Sequence, residues 1–95
     1  MPLLTSDEID KELASMPGWE RRGDAIVREF KLDGGFMGSV GFVNRLAVAA
    51  EVADHHPDIA ISWDRVGVTL STHSADGITE KDVALARDAD RLAAG

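Results

Sequence analysis

Residues 34–70, GGFMGSVGFVNRLAVAAEVADHHPDIAISWDRVGVTL, change their hydrophobic period partway along. From Gly34 or Gly35 to about His55 the apolar residues recur at helical spacing. One row is Phe36, Val40, Val43, Ala47 and Ala50, and a second is Phe42, Leu46, Ala49 and Ala53. Beyond Pro57 the pattern alternates: Ile59, Ile61 and Trp63 share one strand face, and Val66, Val68 and Leu70 the next, with a short turn at Asp64-Arg65. Pro57 disfavours helix at His56, so the helix is expected to stop between the two histidines and turn their side chains in different directions. Between Phe36 and Ala50 the only charged residue is Arg45. Two apolar faces need two partners, so one is assigned to a sheet and part of the other to a second subunit. Gly34, Gly38 and Gly41 would let another element approach the helix start closely.

Working outward, Thr5 with Glu8 three residues on makes a capping box, and Leu4 can staple against Ile9, so a helix should start there and end near Met16. Trp19 to Arg22 and Ala25 to Leu32 flank Gly23-Asp24 and read as a hairpin, although Arg28 breaks the apolar parity of Ile26, Phe30 and Leu32. A last helix opens at Thr79, with Asp82 at the capping-box position and Ile78 able to staple against Val83, and runs to about Leu92. The order α-β-β-α-β-β-α predicts an α+β fold in which a four-stranded antiparallel sheet is covered by helices.

The 95 residues have room for one domain, residues 1–95. A hydrophobic fraction of 44% with 28% charged residues argues for a packed core. The net charge of -7 repels phosphate backbones and anionic lipid, which points away from nucleic acid and membrane surfaces as partners. Without cysteine there is no thiolate chemistry and no cysteine-ligated zinc, and the composition fits a reducing compartment. No basic region followed by an apolar run opens the chain, and no uncharged apolar stretch has the length of a membrane span. A cytoplasmic location is expected.

All three histidines fall between positions 55 and 73, flanked by Glu51, Asp54, Asp58, Asp76 and Asp82. Glu51 and His55 lie four apart near a helix end, so the carboxylate is expected to orient the imidazole, while His56 points elsewhere. If the second strand of the later hairpin continues, His73 shares the polar parity of Thr69 and Ser71. A helix end and a strand end would then bring His55, His56 and His73 around one small ligand. Such a group donates and accepts protons near neutrality, which suits removal of a hydroxyl as water. Taken singly, these residues have plainer readings: Asp82 as a helix cap, Trp19 and Trp63 as core or interface aromatics, Glu51 as a solvated helix residue. A metal site is the competing reading, but adjacent histidines do not easily share an ion, and only Glu51 and His55 would form a chelating helical pair.

Glu51, three residues, His55-His56-Pro57, five more to Trp63, nine to His73 and eight to Asp82 resemble the pattern of the pterin-4a-carbinolamine dehydratases. The segments HHPDIAISWDRVGVTLSTHSADGITEKDVALA and GWERRGDAIVREF are similar to that family as well, so the resemblance covers nearly the whole chain. It implies dehydration of 4a-hydroxytetrahydropterin to quinonoid dihydropterin without metal or cofactor, in recycling of tetrahydrobiopterin-type cofactors. It also implies roles: His55 and His73 as general acid and base, His56 chiefly holding the substrate, and Glu51, Pro57, Thr72, Ser74 and Trp19 lining or supporting the pterin pocket. Ser71 and Asp82 would support them. Homodimers or homotetramers are implied, with an aromatic amino acid hydroxylase as a partner. The join Lys31-Leu32-Asp33-Gly34-Gly35 departs from the aromatic-rich join of the family. The alternative function is a non-catalytic dimerisation or assembly factor of the same fold.

Overall fold

The computed structural model describes residues 2–94. Helix α1 (Ser6–Ala14) is opened by the expected capping box: Thr5 Oγ1 accepts from the Glu8 amide at 3.1 Å, and Glu8 Oε1 accepts from the Thr5 amide at 2.8 Å. Strands β1 (Glu20–Arg22) and β2 (Ala25–Lys31), helix α2 (Gly35–Ala53), strands β3 (Asp58–Ser62) and β4 (Arg65–Leu70), and helix α3 (Glu80–Ala94) follow. The strands form one antiparallel sheet, as the alternating patterns predict, and lie in it in the order β1-β2-β4-β3. The last helix continues two residues beyond Leu92, to Ala94.

The register of β2 on β4 sets the core. Ile26 pairs with Leu70 and Phe30 with Val66, and these four, with Val68, are buried under α2 and α3. Phe42, Leu46 and Ala50 of α2 and Leu85, Ala86 and Ala89 of α3 close over them. Phe30 and Phe42 rings meet at 4.9 Å between centroids. Arg28, which breaks the apolar parity of β2, stays on the covered face. Its guanidinium lies 4.4 Å from the Phe30 ring centroid and donates to Asp90 Oδ1 at 2.7 Å. Trp19 Nε1 donates to the same oxygen at 2.8 Å and packs edge-on against Phe30. One carboxylate on α3 therefore satisfies two donors from the first hairpin region.

Two sequence expectations shift at the β3–β4 connection. The turn lies at Trp63-Asp64, one residue earlier than expected, and Trp63 belongs to it with φ 52 instead of extending β3. Its indole, 67% exposed, stacks on Phe36 with centroids 6.5 Å apart. Ser39, fully buried in α2, donates to the Trp63 carbonyl at 2.6 Å and fixes the turn to the helix start. Of the three small residues expected to allow close approach there, Gly38 is the one that needs it. A Cβ at this position would stand 1.8 Å from the Asp33 carbonyl oxygen.

The two apolar rows of α2 are used unequally. The second is buried at Phe42 and Leu46, whereas of the first only Ala50 is buried and Phe36 and Ala47 are exposed. Met37, Val48 and Val52, which belong to neither row, are 71%, 65% and 84% exposed. Among the described residues α2 is also the one helix long and apolar enough to cross a bilayer, although Arg45 and Glu51 interrupt it.

Replacing Asp90 by Ala should lower stability by about 2 kcal/mol, because Arg28 and the Trp19 indole lose their shared acceptor in a partly buried place. The exposed pair Arg91–Asp88 sets the comparison: Asp88→Ala should change stability by less than about 0.5 kcal/mol. Urea unfolding of both variants at one protein concentration measures the difference.

Candidate active site

Helix α2 ends earlier than Pro57 alone requires. Asp54 adopts the left-handed conformation, φ 49 and ψ 45. Its amide reaches the Glu51 carbonyl at 3.2 Å, and the His55 amide reaches back to the Ala50 carbonyl at 3.0 Å. This is a Schellman ending, with an aspartate tolerating the conformation that glycine usually takes. The helix closes at Ala53, ahead of both histidines instead of between them, and the chain reverses beneath its last turn. His55 is carried inward and is only 9% exposed, while His56 faces out.

That reversal exchanges the expected partners. Glu51 Oε2 pairs with Nε2 of His56, not with His55. His55 Nε2 instead meets Asp82 Oδ1 at 2.5 Å, from the first turn of α3. Asp82 has no exposed surface, and its other oxygen accepts from the Thr79 amide at 2.9 Å and from Thr72 Oγ1 at 2.8 Å. The cap expected of Asp82 is real, and it is half of the residue's work. An ionised carboxylate only accepts, so Nε2 of His55 carries the proton. Its Nδ1 makes no hydrogen bond among the described residues, and no buried side-chain polar atom there lacks a partner, so Nδ1 keeps an opening to solvent.

His55 lines a cleft of about 360 Å³ together with Asp54, His56, Ser71, Thr72, His73, Ser74 and Lys81. The three histidines thus converge as the sequence predicts, by a different local route. Strand β4 ends at Leu70, and His73 opens a single 3-10 turn, His73–Ala75, instead of prolonging the strand. Thr72 exchanges backbone hydrogen bonds with Gly77 at 2.8 and 3.3 Å and closes this loop. The loop holds the exposed His73 and Ser74 at the rim.

Other expected site residues stand elsewhere. Trp19 is a core residue, 5% exposed, with its indole nitrogen engaged by Asp90, and it does not line the cleft. Pro57 is half-buried between His56 and the start of β3 and is likewise outside the lining. Glu51 reaches the cleft only through His56. Ser71 lines it, with its hydroxyl donating to the Asp24 carbonyl at 2.8 Å. Lys81 lines it with no sequence signal of its own, and so does Asp54, which the sequence marks only as one of the acids flanking the histidines. A larger groove of about 470 Å³ runs between α1 and α3, where Arg87 bridges to Glu12 at 3.3 Å, and contains none of the histidines.

Comparison with known proteins agrees in kind. The model of the family described as pterin 4 alpha carbinolamine dehydratase matches residues 2–92. A candidate pterin-4-alpha-carbinolamine dehydratase of Thermomicrobium roseum is 50% identical over 93 residues, covering 98% of this chain and 99% of that one. One of Thermosynechococcus vestitus is 48% identical, covering 95% and 94%. A crystal structure from Brucella melitensis, described as a transcriptional coactivator/pterin dehydratase, superposes with a TM-score of 0.92 at 38% identity, covering 97% of this chain and 99% of that chain. A pterin dehydratase-like protein described as a RuBisCO assembly factor in the alpha-carboxysome shares the fold, with a TM-score of 0.64 at 24% identity, covering 79% and 86%.

The two carboxylate–imidazole pairs should differ sharply in their contribution to stability. Asp82→Ala, which strands buried donors from three segments, is expected to cost about 3 kcal/mol or more. Glu51→Ala removes a partner from a pair whose side chains are 76% and 57% exposed, and should cost less than about 0.5 kcal/mol. Denaturant titrations of the two variants would show the contrast, and equal losses would contradict it.

Proposed function

The chain belongs to the pterin 4 alpha carbinolamine dehydratase family, and from that membership we propose that it is a hydro-lyase converting a 4a-hydroxytetrahydropterin to quinonoid dihydropterin and water. A carbinolamine carries a hydroxyl and an amine nitrogen on one carbon. The nitrogen lone pair can expel the hydroxyl if an acid protonates the departing oxygen and a base takes the N–H proton, so the step balances as loss of one water. The observation that carries the reading is the shared cleft of His55, His56 and His73, with His55 backed by the buried Asp82.

In this reading His55 acts through Nδ1 as the base, because a carboxylate behind Nε2 orients the ring and stabilises the imidazolium that forms. His73 on the rim supplies the proton to the leaving hydroxyl. His56, held by Glu51, grips the pterin, and Ser74 and the Thr72 backbone contribute to its seat. No metal or cofactor takes part. The exposed row Met37, Val48 and Val52 on α2 supports self-association of the chain into a homodimer or homotetramer. The acidic, cysteine-free composition supports work in the cytoplasm, and the family supports a place in recycling the pterin cofactor that an aromatic amino acid hydroxylase uses. A non-catalytic assembly role is the second reading, and the complete set of three histidines favours chemistry over it.

Purified protein should accelerate appearance of the quinonoid product from a 4a-hydroxytetrahydropterin in an absorbance assay. His55→Ala should reduce kcat by about 10²–10⁴, the usual contribution of a positioned proton-transfer group. His73→Gln should reduce turnover strongly while leaving the unfolding midpoint near that of the wild type, since its side chain is exposed. Full activity in His55→Ala would remove the base assignment, and an inactive wild type would remove the enzymatic reading. Separately, the double substitution Val48→Glu with Val52→Glu should lower the mass measured by light scattering. An unchanged mass would show that this face is not the subunit contact.

A further inference from the structure

We propose that the hydroxyls of Thr79 and Thr72 form a directed relay that positions His55, so that both hydroxyls act on the reaction through Asp82 without touching the substrate. This inference rests on the dehydratase reading for its kinetic consequence, but not for its structural one. Its geometry is buried throughout: Thr72 is 5% exposed, and Thr79 and Asp82 are 0% exposed.

The direction of each hydrogen bond follows from the number of protons available. Asp82 Oδ2 only accepts, so Thr72 Oγ1, 2.8 Å away, spends its single proton there. The contact between Thr72 Oγ1 and Thr79 Oγ1, also 2.8 Å, must then be donated by Thr79. Thr79 Oγ1 in turn accepts the Lys81 amide at 3.2 Å. The chain therefore runs one way, from a backbone N–H at the start of α3, through two hydroxyls, to one carboxylate oxygen. The Thr79 amide adds a second donor to that oxygen at 2.9 Å. Asp82 Oδ1 is left for His55 Nε2 alone.

Both oxygens being occupied, the carboxyl plane cannot turn without breaking a bond in a place that water does not reach. The fixed plane fixes the imidazole that leans on it, and the imidazole presents Nδ1 to the cleft in one tautomer and one orientation. The resemblance to the dehydratases implies that Thr72 lines the pterin pocket. Its hydroxyl is fully engaged behind the histidine, so its contribution to substrate binding is confined to its backbone and methyl group. Thr79, which the sequence marks only as a helix cap, becomes the outermost link.

The test compares Thr72→Val, which removes the hydroxyl at similar volume, with Thr72→Ser, which restores it. Thr72→Val leaves the Thr79 cap of α3 in place, and thermal unfolding verifies that each variant is folded. Two readouts are needed. In the first, proton NMR follows the His55 Nε2–H resonance and its exchange with water: exchange is expected to rise about tenfold in Thr72→Val and stay near wild type in Thr72→Ser. In the second, kcat for dehydration should fall about tenfold in Thr72→Val with KM within about twofold, as misaimed catalytic groups lose turnover more than binding. Thr72→Ser should recover most of that turnover. A Val variant with wild-type exchange and kcat would overturn the relay, as would a Ser variant as impaired as Val. If the wild type dehydrates no carbinolamine, the functional reading fails while the NMR comparison still decides whether the relay holds His55.

Discussion

A carboxylate with no exposed surface keeps its charge inside a protein only if donors surround it, and in this chain that condition ties the fold to the site. Asp82 draws its donors from the turn after α2 through His55, from the loop after β4 through Thr72, and from the start of α3 through Thr79. None of these segments is adjacent in sequence to all the others. Leaving any one of them unpaired would strand a charge or a polar group away from water, a loss comparable with a sizeable share of a small domain's stability. Docking of α3 and the shape of the cleft floor therefore depend on the same carboxylate.

Much of the architecture is legible because its physics is local. The capping box at Thr5 and Glu8, the alternation through β2 and β4, and the helical period of α2 each depend on neighbours a few residues away. Which strands of the two hairpins meet was not legible, because the β2–β4 pairing rests on partners such as Ile26 and Leu70 that lie far apart in the chain. Arg28 looked like an error in the pattern because its partner, Asp90, lies 62 residues further on, and nothing in the local sequence announces it. Trp63 reads as part of β3 because it continues the alternation of Ile59 and Ile61. The buried Ser39 hydroxyl bound to its carbonyl, and the stacking on Phe36, go with a turn instead.

At the site, the grouping of the three histidines was legible and their pairing was not. Spacing places Glu51 and His55 on one face only while the helix lasts. The left-handed Asp54 ends it first, and aspartate is a less obvious stop than glycine. Asp82 carried a correct local explanation as a cap, which concealed its second partner 27 residues earlier. Thr79 carried a signal only as a helix cap, and Lys81 none beyond its neighbours. The family resemblance identified most of the cleft, but its implied pocket role for Trp19 does not fit a side chain locked into the core by Asp90.

The Schellman ending has an evolutionary corollary. Two adjacent imidazoles serve different neighbours because the last turn of α2 meets the reversal at one particular angle. Inserting or deleting a single residue within the helix would rotate that end by about 100° relative to the face held by Phe42 and Leu46. Both rings would then be misdirected together. Substitutions at exposed positions of α2 outside the row Met37, Val48 and Val52 can accumulate more freely by comparison, so descendants of this sequence should vary in the composition of the helix while keeping its length.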